Sequence, residues 1–334
     1  MRVLIAYDGS KCSDSALDDL THAGLPENGE AVVMSVAEVW LPPPPPSSVE
    51  ILEMATTTKG ALGLERKYMA ASQAVKDADD MAAKAAVRFQ ANFPNWKVKH
   101  EAVWGSPTWE LFSKSEDWKA DLIVAGSHGR SALGRLFLGS ISQWLLNEAR
   151  CSVRVARGKL DEPDFPVRLL LALDGSRNSE KALEQIASRN WPPKSEVRVI
   201  TVDQPLELTY VGDAVRPLRH SVASFNKKEH QKSKRFVDAA AKKLRAAGLR
   251  AMADAFEGDP KKVLVKVAAE WRADCIFLGA TGLSNRFERF LLGSTAGAVT
   301  ARAHCSVEVV RKRRRKPTTH GNGRSTVKRG LSLN

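Results

Sequence analysis

The stretch DLIVAGSHGRSALGRLFLGS, residues 121–140, decides the fold. After Asp121 the chain is apolar up to Gly126 and reads as a strand covered on both faces. From Ser140 onward, SISQWLLNEA reads as a helix. The segment between, GSHGRSALGRLFLGS (Gly126–Ser140), carries four glycines and three serines. A glycine-rich turn from a buried strand into a helix belongs to a parallel α/β sheet, where strands and helices alternate. A second version, GATGLSNRFERFLLGS, occupies Gly279–Ser294.

That recurrence extends outward in both directions. VLIAYDGS (Val3–Ser10) returns as LLLALDGS (Leu169–Ser176), and EAVVMSVAE (Glu30–Glu38) as EVRVITVDQ (Glu196–Gln204). Gly105 and Gly258 each stand 21 residues before the first glycine of their loop, and CSVRVA after Arg150 returns as CSVEVV after His304. Landmarks in the same order define an internal duplication. Strands are expected at 2–7, 31–36, 98–103, 121–126 and 151–156, with helices around 13–23, 66–91, 107–118 and 140–149. Leu183, Ile186 and Ala187 show the spacing of a helix face packed on a sheet. The fold class is α/β: two tandem, doubly wound, parallel-sheet domains of Rossmann-like type. Their expected bounds are 1–157 and 166–311, with a polar linker at 158–165 and a basic tail at 312–334. The first half is longer by 13 residues between its aspartate and its loop, a surplus assigned to LPPPPPSSVE (Leu41–Glu50) and TTTKGALGL (Thr56–Leu64). Five consecutive prolines favour polyproline II, a stiff arm outside the core.

At 334 residues the chain is long enough for two cores. It lacks a secretory apolar run and any bilayer-length segment, so it reads as cytoplasmic with no membrane contact. The net charge of +13 is concentrated: nine basic and no acidic residues follow Val310, leaving +4 on the rest. The tail reads as disordered, able to bind phosphate backbones electrostatically or simply to aid solubility. Cys12, Cys151, Cys275 and Cys305 have no metal-ligand spacing, and Cys151 and Cys305, each opening an apolar alternation, read as small buried thiols at strand starts.

Within the loop, Gly126 and Gly129 let backbone N–H groups approach an anion, and Gly139–Ser140 opens a helix N-terminus toward it. Ser140 with Gln143 also fits a capping box, which would commit its hydroxyl to the helix. The arrangement strand, GxxG, nine residues, Gly-Ser, helix resembles the nucleotide-binding members of the universal stress protein family, whose motif is G-x2-G-x9-G-[S/T]. The resemblance covers roughly 1–157 and 166–311, and includes the DGS after each first strand. It implies an adenine nucleotide alpha hydrolase-like fold and a site for ATP, ADP or AMP, with Mg2+ as an accompanying ion. By position, the family's binding roles fall to Asp8, Ser10, Val36, Gly126, Ser127, His128, Gly129, Gly139, Ser140 and Ile141. Arg130 is either an additional phosphate contact or a solvated loop charge. In the second half the corresponding residues are Asp174, Ser176, Val202, Gly279, Gly282, Gly293, Ser294 and Thr295. There ten residues, not nine, separate Gly282 from Gly293, and Leu283 replaces Arg130.

Ser127, His128 and Asp8 invite comparison with a triad, but a loop histidine touching phosphate or solvent is the plainer account. No GxxxxGK[ST] segment exists. The favoured reading is a non-enzymatic, nucleotide-binding protein of stress response or regulation. A slow ATPase and an interaction protein with empty sites, working through its basic tail, remain open. Single-domain members of the resembled family commonly dimerise through their last strands. SVRVA and SVEVV are therefore expected to pair within the chain as a pseudo-dimer, with a homodimer of whole chains left open.

Overall fold

The computed structural model describes residues 1–39, 58–128, 138–157, 166–206, 216–282 and 292–312. The proline arm, the linker, the tail beyond Lys312, and the loop residues Gly129 and Arg130 lie outside the described residues. In the first half, β1 (Arg2–Ala6), α1 (Lys11–Asp19), a 3-10 turn (Leu20–His22), β2 (Glu30–Ala37), α2 (Thr58–Asn92), β3 (Lys97–Trp104), α3 (Pro107–Asp117), β4 (Leu122–Gly126), α4 (Ser140–Glu148) and β5 (Ser152–Ala156) follow in order. The second half gives β6 (Arg168–Ala172), α5 (Arg177–Ser188), β7 (Glu196–Asp203), α6 (Arg216–Ala246), β8 (Arg250–Glu257), α7 (Pro260–Glu270), β9 (Cys275–Gly279), α8 (Ser294–Arg302) and β10 (Ser306–Val310).

The strands form one ten-stranded sheet in the order β3-β2-β1-β4-β5-β10-β9-β6-β7-β8. Every adjacent pair is parallel except β5 with β10, which run antiparallel with Arg154 opposite Glu308. Alternation along the strands sends side chains to opposite faces. On β1, Leu4 joins a core under α3 and α4, with Leu111, Leu145 and Leu146. Its neighbours Val3 and Ile5 join another under α1 and α2, with Leu17, Ala82 and Phe89. The second half repeats this under α5 and α6, with Leu183, Ile186 and Val237. Leu264 and Val299 of α7 and α8 belong to the same cluster as Leu111 and Leu145. The halves thus share one core on that face, a consequence of the continuous sheet.

Two expectations need correction. The helix expected around 66–91 begins earlier, at Thr58; a helix once nucleated propagates through isolated glycines such as Gly60 and Gly63 at modest cost. The capping box at Ser140 is not formed. Gly139 is the N-cap, with no side-chain cap bond, and Ser140 is the first helical residue.

The seam between the halves is polar at its centre. Arg154 and Glu308 are 1% and 0% exposed and lie 3.2 Å apart. Arg154 also donates to Asp19 at 2.5 Å, while Arg189 donates to both oxygens of Glu308. Burial works against the Arg154 charge, but the neighbouring carboxylates, Asp19 foremost, outweigh it and hold the group charged. Burial likewise opposes ionisation of Glu308, yet Arg189 and then Arg154 bring its carboxyl below the ordinary value. On either side, the residue after each central strand reaches across. Arg157 donates to the carbonyls of Thr300 (2.5 Å) and Ala303 (2.8 Å) at the end of α8. Arg311 donates to those of Leu146 and Asn147 at the end of α4. Cations at helix C-termini satisfy otherwise orphaned carbonyls and complement the dipole.

Candidate functional site

In open α/β sheets a crevice forms at the carboxyl ends of neighbouring strands whose following connections run to opposite faces. Here those pairs are β1 with β4, and β6 with β9. The DGS segments and the glycine loops are the residues that leave these ends.

At the first rim, Asp8 accepts the Ser10 N–H at 3.0 Å, an Asx turn made with Gly9 at φ 73°. The Ser10 hydroxyl oxygen then accepts the Ser13 N–H at 3.2 Å and caps α1. The second rim repeats both bonds: Asp174 with Ser176 N–H at 2.9 Å, and Ser176 with Ser179 N–H at 3.2 Å. Of the serines expected in the site, Ser10 and Ser176 are therefore first of all helix caps. The glycine loops close on themselves in the same way in each half. Gly139 N–H donates to Ser127 O at 2.8 Å, and Gly293 N–H to Ala280 O at 2.7 Å. This bond draws the start of the loop against the N-terminus of the following helix, where Ser140 and Ser294 stand exposed. The N-caps Gly139 and Gly293 make no side-chain cap bond, so neither helix start is closed by its own N-cap.

The glycines are required by close approach. A Cβ on Gly126 would stand 2.7 Å from the Cys12 backbone, and one on Gly279 2.8 Å from Ser179 N. A Cβ on Gly282 would meet the Asp174 carboxylate at 2.9 Å, which places the second glycine of that loop beside the DGS turn. Val36 and Val202, half-buried near the ends of β2 and β7, pack against the shared core with Ile141. Thr295 follows Ser294 in the first turn of α8.

Ser127 is buried and its hydroxyl lies 3.0 Å from His128 Nδ1. Burial, reinforced by the Arg157 charge, lowers the His128 pKa below 6.5, so the ring is neutral at pH 7. Its Nε2 is buried without a hydrogen-bond partner among the described residues. The Ser127 hydroxyl and His128 Nδ1 are within hydrogen-bond reach of each other, but no described group orients the ring through Nε2 as the third member of a triad would.

Sequence reasoning missed three neighbours of these rims. Asn178 donates to Thr281 Oγ1 at 2.8 Å and accepts from Lys312 N–H at 3.2 Å, tying α5 and the start of the tail to the second loop. Arg157 holds the far end of α8 and Arg311 that of α4, each a helix of the other half whose N-terminus stands at that half's rim. A signal for the two arginines was present: CSVRVAR and CSVEVVR both end in arginine at the same place of the repeat.

Comparison with known proteins agrees with the duplication. Among curated proteins, universal stress protein Rv2005c of Mycobacterium tuberculosis is 31% identical over 159 residues, 46% of this chain and 45% of that protein. The match thus spans about half the length of that relative. Universal stress protein Sll1388 of Synechocystis sp. is 26% identical over 149 residues, 43% of this chain and 96% of its own length. Among solved structures, a universal stress protein from Archaeoglobus fulgidus DSM 4304 shares the fold at a TM-score of 0.56 and 21% identity, covering 93% of this chain and 98% of its own. Among the described residues no helix is long and apolar enough to cross a membrane. A sequence model of the Universal stress protein family matches twice, over residues 1–157 and 167–311, and the chain belongs to that family.

Proposed function

We propose that the chain is an adenine-nucleotide-binding regulatory protein of the stress response, with one site at each rim, and that it acts by binding rather than by turnover. The observation that carries the reading is the doubled rim: an Asx turn at Asp8 or Asp174 set against a helix N-terminus left without a side-chain cap. Free N–H groups and the helix dipole favour a phosphate at that place. Residues 1–157 and 166–311 are read as two equivalent binding units, paired inside one polypeptide as a pseudo-dimer.

In each unit the phosphates would lie on the loop glycines and on Ser140 or Ser294. The sugar and base would run toward Asp8 and Val36, or Asp174 and Val202. A Mg2+ carried by the nucleotide would meet the rim aspartates. Neutral His128 offers a hydrogen bond from Nε2 or to it, depending on tautomer, in the first unit; Thr281 stands at its place in the second. The first unit is the stronger candidate, since its loop has the nine-residue spacing and carries Arg130.

The test is calorimetric titration of the full chain with ATP, ADP and AMP, with and without Mg2+, beside the variants Ser140→Asp and Ser294→Asp. An acidic residue in the first turn suits the helix dipole, so these variants keep their fold while repelling a phosphate. Each is expected to remove one site and weaken binding there tenfold or more. Absence of binding by the wild-type chain, or unchanged stoichiometry in both variants, overturns the proposal; rapid release of phosphate from ATP would replace it by an enzymatic reading.

A further inference from the structure

The charged cluster at the seam takes no part in the proposed site, and it occupies a special position. Register pairs Val153 with Val309, Arg154 with Glu308, and Val155 with Val307. Arg154 and Glu308 hold the same place in the two repeats, SVRVA and SVEVV. The pairing is therefore centred on them, and an approximate two-fold axis between the halves passes through this one pair. On such an axis, a residue of an identical pair faces its own copy. Here alone along the central strands the duplicated chain carries opposite charges.

We infer that Arg154 and Glu308 make the central strand edges heterotypic: the edge of β5 accepts the edge of β10 and rejects another β5, and the converse holds for β10. The surface thus fits one kind of partner, the complementary half. If two first halves paired in this register, two Arg154 side chains would meet where exposure is 1%. Asp19 would still neutralise each of them, but the Arg154 Nη1 donor would lose Glu308 and the nearby Cys275 sulfur as acceptors. If two second halves paired, two Glu308 carboxylates would meet, each keeping only its own Arg189 in place of the two guanidiniums it now binds. Like charges directly opposite on antiparallel strands repel, and buried groups stripped of a partner are costly. Specificity of this kind arises from penalising the wrong pair as much as from favouring the right one. Among the flanking contacts the valines pair with valines and Arg157 and Arg311 would cap either kind of neighbour, while the Trp191 ring over Gly24 also favours the complementary half.

The test reads partner choice rather than stability. A protease recognition sequence is placed in the 158–165 linker, the full chain is folded, nicked, diluted until the halves exchange, and reconcentrated. Native mass spectrometry then counts mixed and like pairs. The wild-type halves are expected to re-form mixed pairs in at least about tenfold excess over like pairs. Glu308→Gln removes the repulsion between two second halves while keeping shape and acceptor, and should raise like pairs of that half tenfold or more. Arg154→Gln should do the same for the first half, and serves alone should Glu308→Gln fail to fold. Val153→Ala combined with Val309→Ala, one uncharged contact on each central strand, should loosen all pairs and leave their proportions unchanged. Statistical mixing of wild-type halves, or glutamine variants with wild-type proportions, would overturn the inference.

Discussion

The two rims and the seam treat the duplication in opposite ways. At the rims the halves copy one another bond for bond: Asp8 to Ser10 at 3.0 Å and Asp174 to Ser176 at 2.9 Å, then the loop closures at 2.8 and 2.7 Å. At the seam the equivalent positions diverge: Arg154 stands against Glu308 and touches it, and Asp19, which binds Arg154, has Gln185 as its counterpart. A ligand seen separately by each half can be served by the same residues twice. A contact between the halves places equivalent positions face to face, and there a copy is a liability. Gly24 shows the same rule away from charge. At φ 61° it accepts from the N–H of Asn190, its counterpart in the repeat, and its missing Cβ leaves room for the Trp191 ring, which would stand 2.7 Å away.

The sharpest way to break this contrast is to remove one charge at the seam. Arg154→Met leaves Asp19 with the Ser306 hydroxyl in place of a cation and Glu308 with Arg189 alone; we expect a loss of about 3–5 kcal/mol in chemical denaturation, where an exposed ion pair would cost at most about 1. Acid should reach the same network without mutation. The Glu308 carboxyl is held below its ordinary 4.5 in the folded chain, so its contribution is complete above about pH 4.5 and is lost as pH falls through the lowered value. Glu308→Gln should flatten the acid limb of a stability–pH curve measured by thermal melting.

Smaller effects probe the symmetry of the rims. Gly126→Ala and Gly279→Ala press a methyl group against backbone on α1 and α5, and each should cost about 1–3 kcal/mol with a parallel loss of nucleotide affinity in its own half. Ser10→Ala and Ser176→Ala remove equivalent caps, and each should cost about 1 kcal/mol. Unequal costs would show that the repeat is geometric but not energetic. Gly282→Ala should be the mildest, because its methyl group meets only the end of the Asp174 side chain, which can turn aside; its effect should appear in affinity before stability.

Much of this was legible in the order of residues. The apolar run after Asp121 gave a strand at Leu122–Gly126, and the run after Gly139 a helix at Ser140–Glu148. Both signals are local, since hydrophobic periodicity records which faces are covered. The site was legible as a set of turn and cap residues: DGS forms the Asx turn it encodes. What escaped was contact between distant residues. The helix start was expected to use Ser140 as its cap, but the bond from Gly139 N–H to Ser127 O fixes it instead, and Ser142 donates to Gly126 O at 2.7 Å. The length of α2 escaped because Gly60 and Gly63 weaken the local helical signal without ending the helix.

By itself the sequence determined the duplication, the alternation of strand and helix, the family, and the places of the DGS turns and the glycine loops. All of these rest on patterns within a few dozen residues, set by chain sterics and by burial on one face or two. Tertiary structure alone decided that the halves share one core beside the sheet joined by their last strands, and that Arg154, Asp19, Arg189 and Glu308 form a single buried cluster. In the sequence Arg154 and Glu308 are isolated charges in apolar strands, which ordinarily mark solvent-facing positions. Only when β5 meets β10 does each charge find its opposite, and low exposure then makes that meeting selective.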